Sequence, residues 1–211
     1  MPAWNPRGLK IGVAALWLGV AATAQAATTP LTVEQLTDAS DYVVLATVEQ
    51  FWVERDARGN GWTRVEIEVE AVLKGPADLD ALRLDVAGGL IGGQGSLVLD
   101  SPRFDEGEPV LVFAERLESG LLVLTGAFQG KYTVRLDPDS GREMLVQFNP
   151  PPEQRYDHRF IPHPAPADRI LLDDMQRRIE ARVRQGWDGE PIPGKSLERL
   201  HELHPSVEVS R

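Results

Sequence analysis

The sequence predicts a mainly β protein: an antiparallel barrel of about seven strands, closed or partly open, with a short N-terminal helix and an amphipathic C-terminal helix. Three observations carry this. From Tyr42 to Phe148 the chain is rich in short β-branched and aromatic runs, several alternating apolar and polar residues with a period of two. Turn-forming clusters such as "RDARGNG" and "DPDSG" separate the runs, with no helical pattern between them. After a proline-rich stretch the period becomes helical.

The first 26 residues read as a cleaved export signal. Arg7 and Lys10 form the positive region, "IGVAALWLGVAATA" the apolar core, and Ala24-Gln25-Ala26 the small-x-small cleavage site. That apolar run is shorter than the roughly 20 residues of a spanning helix. The mature chain is then expected to begin near Ala27 and to lie in the periplasm or medium. There is no cysteine in the 211 residues, so neither a lipid anchor on cysteine nor a disulfide is possible. The net charge is −10 for the whole chain, and losing the two basic residues of the signal makes it −12. Such a field repels phosphate backbones, which argues against nucleic acid and anionic membranes as partners.

The mature chain divides into a β-barrel domain (27–148), a proline-rich extended segment (149–166) and a C-terminal helical segment with a tail (167–211). Thr32 and Gln35 make a capping-box pattern that starts a helix at Val33 and carries it to about Asp38. Tyr42 to Val53 is a long first strand. In "WTRVEIEVEAVLKG", Val65, Ile67, Val69 and Ala71 share one face, and Arg64, Glu66, Glu68 and Glu70 the other. "ALRLDVA" alternates again, and "EPVLVFAER" is apolar almost throughout, which predicts a central strand. "GLLVLTGAF" and "KYTVRLDP" are expected to pair through a tight Gln129-Gly130 hairpin, Gly130 supplying a positive φ and Lys131 lying at a strand edge. "REMLVQF" closes the set. Six prolines between Pro150 and Pro166 exclude helix and inner strand there. In "DRILLDDMQRRIEARVRQG", Leu171, Met175, Ile179 and Val183 recur at helical spacing, acids come early, arginines late, and Gly186 ends the run. "KSLERLHELHPS" allows one more short helix.

The chemistry-bearing motifs are sparse. "GGLIGGQGS" contains Gly88, Gly89, Gly92, Gly93 and Gly95, but no lysine follows the last glycine, and neither G-x-G-x-x-G spacing nor a strand-to-helix context is present. These glycines, with Gly130, are read as structural, permitting bends and positive φ. The row Glu66, Glu68, Glu70 is straight where a calcium site needs converging ligands. His158, His163, His201 and His204 match no zinc motif, and no serine lies in a nucleophile elbow. No catalytic residue, metal site or cofactor is assigned.

Four stretches together resemble a known pattern: "ASDYVVLATV", "RVEIEVEAVLKG", "SPRFDEGEPVLVFAER" and "GAFQGKYTV". They are similar to uncharacterised exported bacterial proteins with an OB-type barrel, and to the barrel of tissue inhibitors of metalloproteinases and netrin-like modules. The resemblance covers residues 32–148 and rests on structural motifs. It implies an OB-like fold and a habit of binding proteins. The inhibitors chelate zinc through an N-terminal cysteine, which this chain lacks, so that chemistry does not carry over. The expected function is a non-catalytic exported module that recognises another envelope or secreted protein, a metallopeptidase by analogy. Its partner-binding residues would lie on a rim loop: Leu90, Ile91, Gln94, Arg103 and Phe104. The alternatives are a hydrolase or metal-dependent enzyme, requiring His158 or His163 to converge with Glu66 or Asp105, and a small-ligand carrier, requiring an empty barrel.

Overall fold

The computed structural model describes residues 29–91, 94–96, 101–147 and 169–205. The expected export signal and the proline-rich segment therefore fall outside the described residues. The elements run α1 (Val33–Ala39), β1 (Tyr42–Arg55), β2 (Gly61–Lys74), β3 (Ala81–Ala87), β4 (Gly89–Ile91), β5 (Gln94–Ser96), β6 (Pro109–Arg116) and β7 (Leu122–Leu124). A 3-10 turn (Ala127–Gly130) then leads to β8 (Lys131–Leu136), β9 (Glu143–Gln147), β10 (Arg169–Leu171), α2 (Leu172–Gln185) and α3 (Leu197–Leu203).

The fold is mainly β. One antiparallel sheet, ordered β10-β9-β8-β6-β1-β2-β3, curls into a half-barrel, with β7 beside β6. Two apolar layers flank it. The inner one joins Val44, Ala46 and Val48 to Val65, Ile67, Leu84, Val110 and Val112. The outer one packs Val43, Leu111, Phe113 and Leu145 against Leu36 of α1 and Met175 and Ile179 of α2. β6 supplies residues to both layers, so its unbroken apolar run is a central strand buried on two faces. β2 keeps its period of two: Val65 and Ile67 are buried, Glu68 and Glu70 exposed.

Local signals explain the ends. The capping box of α1 forms in both directions: Gln35 N–H donates to Thr32 Oγ1 at 3.2 Å, and Thr32 N–H donates to Gln35 Oε1 at 3.0 Å. The β1–β2 turn is built on Asp56, whose Oδ1 accepts from Arg58 N at 2.9 Å and Asn60 N at 2.8 Å. Hydrogen bonds from Asn60 hold that carboxyl down at about 2. Gly186 caps α2 at φ 76°, its N–H bonded to Arg182 O.

Three expectations are corrected. β7 and β8 do not form a hairpin; both pair with β6, β7 opposite 114–116 and β8 opposite 110–112. The six residues 125–130 between them leave the sheet while β6 advances by one, so β7 and β8 are one strand interrupted by a 3-10 excursion. Gly130 is accordingly not at positive φ; Gly126 (φ 66°) and Ala127 (φ 59°) are. Glycine is needed at 130 for close approach, because a Cβ there would stand 2.6 Å from Thr125 O and 2.7 Å from Phe113 O. Second, α2 starts at Leu172, since residues 169–171 pair with β9. Its buried stripe is Leu172, Met175, Ile179 and Arg182, and Val183 is exposed. Arg182 takes the apolar position because Asp38 and Asp188 neutralise it, Asp38 Oδ2 lying 2.6 Å away. Third, Lys131 is buried rather than at an open edge.

Candidate functional site

β1 and β2 run on together past the end of β6 as an arm, and the glycine segment packs against it. Gly88 (φ 97°) and Gly89 (φ 148°) turn the chain off β3, and β4 and β5 pair as a two-stranded ribbon with Leu90 opposite Gly95 and Ile91 opposite Gln94. Close packing demands both the turn and the missing side chain. Gly88 N–H donates to Gly61 O at 3.0 Å, Thr63 Oγ1 donates to Gly88 O at 2.8 Å, and a Cβ on Gly89 would collide with Val53. The structural reading of Gly88 and Gly89 thus has a concrete cause. Gly92 and Gly93 lie outside the described residues, and Leu90, Ile91, Gln94 and Gly95 are placed by backbone pairing alone.

Residues 101–108 form a loop tied to Val48 of β1 and to the end of β3. Ser101 Oγ donates to Ala87 O at 2.8 Å, tying the loop to the end of β3. Phe104 turns inward and is buried in the inner layer, so it is corrected from rim contact to core residue. Arg103, Asp105 and Glu106 face solvent. Beneath the loop, Lys131 Nζ donates to Arg103 O at 2.6 Å and Glu108 Oε2 at 2.8 Å, and lies 4.7 Å from the Phe104 ring centroid. Thr133 Oγ1 donates to Glu108 Oε1 at 2.5 Å, and Asp105 N–H to Glu108 Oε2 at 3.2 Å. Burial pushes the Glu108 carboxyl up, but these donors outweigh it and hold it below its ordinary value. The loop is therefore latched to the sheet by a buried charge pair.

Two clefts lie elsewhere. One, of about 420 Å³, sits between β3 and β7 and is lined by Tyr42, Glu66, Arg83, Asp85, Arg116 and Leu122 among others. Asp85 spans the gap: Oδ2 accepts from Leu122 N at 2.8 Å, while Oδ1 pairs with Arg64. The other, of about 610 Å³, lies between the β6–β7 turn and the segment 194–202. Its charges pair with one another, Arg199 with Asp41 at 2.6 Å and Lys195 with Glu115.

The two described residues of the alternative enzyme site sit on different elements. Glu66 accepts from Gln50 Nε2 at 2.6 Å on the arm's outer face, Asp105 is on the loop, and His158 and His163 lie outside the described residues. His201 and His204 flank Trp187 at ring-centroid distances of 5.3 and 5.8 Å, and His204 Nε2 sits 2.9 Å from Asp38 O. Among the described residues no group of three potential ligands is placed to hold a metal ion. Sequence reasoning missed Glu108, Lys131 and Thr133. A signal existed: Tyr132 and Val134 face the helices, so alternation turns Lys131 and Thr133 to the opposite face. What the chain presents is a curled-sheet β module with a latched loop and a glycine-anchored ribbon at one end. No family model matches the sequence, and no curated protein is similar to it.

Proposed function

We propose that the protein is an exported, non-catalytic recognition module with an OB-like barrel, and that it binds another envelope or secreted protein through the loop 103–106 beside the β4–β5 ribbon. The observation that supports this reading is the latch. Exposed Arg103, Asp105 and Glu106 sit on a loop whose Phe104 and Glu108 are buried and whose backbone is held by Lys131. Polar residues displayed by a rigid support lose little freedom on binding, which favours recognition. A secreted metallopeptidase is the partner class that the resemblance to metalloproteinase inhibitors implies, without the cysteine chemistry.

The experiment is capture with the mature chain from envelope and medium, beside a variant with Arg103→Glu and Glu106→Lys. A partner held by the wild type and released by the variant, at unchanged circular dichroism, supports the reading. Equal capture by both proteins, or substrate turnover by the purified chain, overturns it.

A further inference from the structure

α3 docks on α1 and the turn after it through an apolar cluster, an ion pair and an imidazole. Leu200 is fully buried with Ala39, Trp187 and Ile192. Arg199 Nη2 lies 2.6 Å from Asp41. His204, which caps the helix, sets its Nε2 2.9 Å from Asp38 O. A carbonyl oxygen only accepts, so this nitrogen carries a hydrogen, and in the neutral ring Nδ1 is then bare. A proton entering at Nδ1 brings a full positive charge. The ring is half-buried and stands 5.8 Å from the buried indole of Trp187, centroid to centroid. His201, one turn earlier, also packs on that indole, edge-on at 5.3 Å.

The place that receives His204 already holds two cations. From β2, Lys74 Nζ donates to Thr37 O at 2.7 Å and to the same Asp38 O at 3.3 Å. From α2, buried Arg182 donates to both oxygens of the Asp38 carboxylate. The nearby acids are engaged as well: Asp188, just past α2, lies 3.0 Å from Arg182, and Asp41 and Glu202 pair with Arg199. A charged His204 would share one acceptor with the Lys74 ammonium and find no carboxylate of its own among the described residues. Burial, with Lys74 and Arg182, pushes the His204 pKa below its ordinary 6.5, against the opposite pull of the Asp38 carbonyl and carboxylate. The released ring therefore binds a proton more readily than the docked one. Docking is complete above that ordinary value and weakens as the pH falls toward the docked pKa, by at most about tenfold per pH unit.

We propose that His204 makes the docking of α3 acid-sensitive: protonation of its ring frees the C-terminal segment from α1 and uncovers the apolar cluster of Ala39, Trp187, Ile192 and Leu200. This stands apart from the recognition reading, since loop 103–106 takes no part in it.

The test is amide hydrogen exchange of the mature chain at pH about 7.5, 6.5 and 5.5, each rate corrected for the intrinsic effect of pH. Protection over residues 187–204 is expected to fall several-fold, up to about tenfold, between the upper and lower pH, while β1 and β6 keep theirs. His204→Gln retains an uncharged N–H donor and should hold protection constant; His201→Gln should behave as the wild type. A second readout needs no variant protein to be stable. The imidazole proton resonances of the wild type, followed by NMR, should show His204 titrating at lower pH in the folded chain than in urea. Protection that does not change with pH, an equal fall in His204→Gln, or a folded His204 that titrates at or above its value in urea overturns the proposal.

Discussion

Lys74, the last residue of β2, donates from Nζ to Thr37 O at 2.7 Å and Asp38 O at 3.3 Å, closing the carbonyl end of α1. Burial pushes its pKa from 10.5 down to about 8; Asp38 and Asp41 pull it back up, and Arg199 pushes it further down. Between those two pH values the unfolded chain keeps a proton on Lys74 that the folded chain has shed. Stability should therefore rise with pH through this window, the protonated, buried ammonium being the costly form below it. At about 1.4 kcal/mol per pH unit the full interval is worth roughly 3 kcal/mol. His204, which touches the same Asp38 carbonyl, has its pKa lowered by burial, so it titrates below this range and does not contribute. The assay is urea unfolding of wild type and Lys74→Met, followed by tryptophan fluorescence at intervals from pH about 7 to about 10.5. Subtracting the variant removes tyrosines and other lysines. Wild type minus variant should climb by about 3 kcal/mol with rising pH. A difference that stays flat or falls refutes the reasoning.

Three further outcomes follow from packing. Gly130→Ala would drive a methyl group into two backbone carbonyls that cannot retreat, so urea unfolding should show a loss of about 2–3 kcal/mol; a change under about 0.5 means the excursion yields. Phe104→Ala should cost about 3–5 kcal/mol in the same assay, whereas Arg103→Ala should stay within about 0.5, because the first side chain is core and the second is solvent-exposed. Arg182→Met strands the buried Asp38 carboxylate and should cost about 3–5 kcal/mol, with Asp38→Leu/Arg182→Met recovering much of it; a double-variant loss equal to the sum of the two single losses would show the pair is uncoupled.

The strands and α1 were legible because their signals are local. Thr32 and Gln35 are three residues apart, and β2 and β3 declare an inner and an outer face by alternation. The errors arose where a distant partner decides. Nothing near "LTGAFQGKY" indicates that β7 and β8 share one edge of β6; that depends on Gly130 nesting against Phe113 O. Leu171 and Leu172 fit a helix equally well until β9 claims the first for a strand. Phe104 reads as a loop aromatic by sequence, yet it is buried in the same inner layer as Val48 and Val110. Arg182 suits a helix C-terminus by charge, and its burial becomes visible only once Asp38, 144 residues earlier, lies beside it.

These distant charge pairs answer a problem that a cysteine-free chain must solve. The C-terminal segment docks on α1 through a small apolar cluster, Ala39, Trp187, Ile192 and Leu200, which offers contact without strong register. Charges supply the register. Arg182 meets Asp38, Lys195 meets Glu115, and Arg199 meets Asp41, so one pair fixes α2, one the connecting loop and one α3. A buried pair adds little net stability over a well-packed apolar replacement, since desolvation offsets most of the attraction. Its effect lies in what a displacement would cost. Sliding α2 by one turn would leave Asp38 and Arg182 both buried and both unpaired, at several kcal/mol, whereas an apolar contact would merely exchange one neighbour for another. The same logic governs the latch. An apolar residue at 131 would bury as well beneath Phe104, but only a donor can grip Arg103 O and Glu108 together. Loop and helices thus take one position each on a sheet whose apolar faces alone would tolerate several.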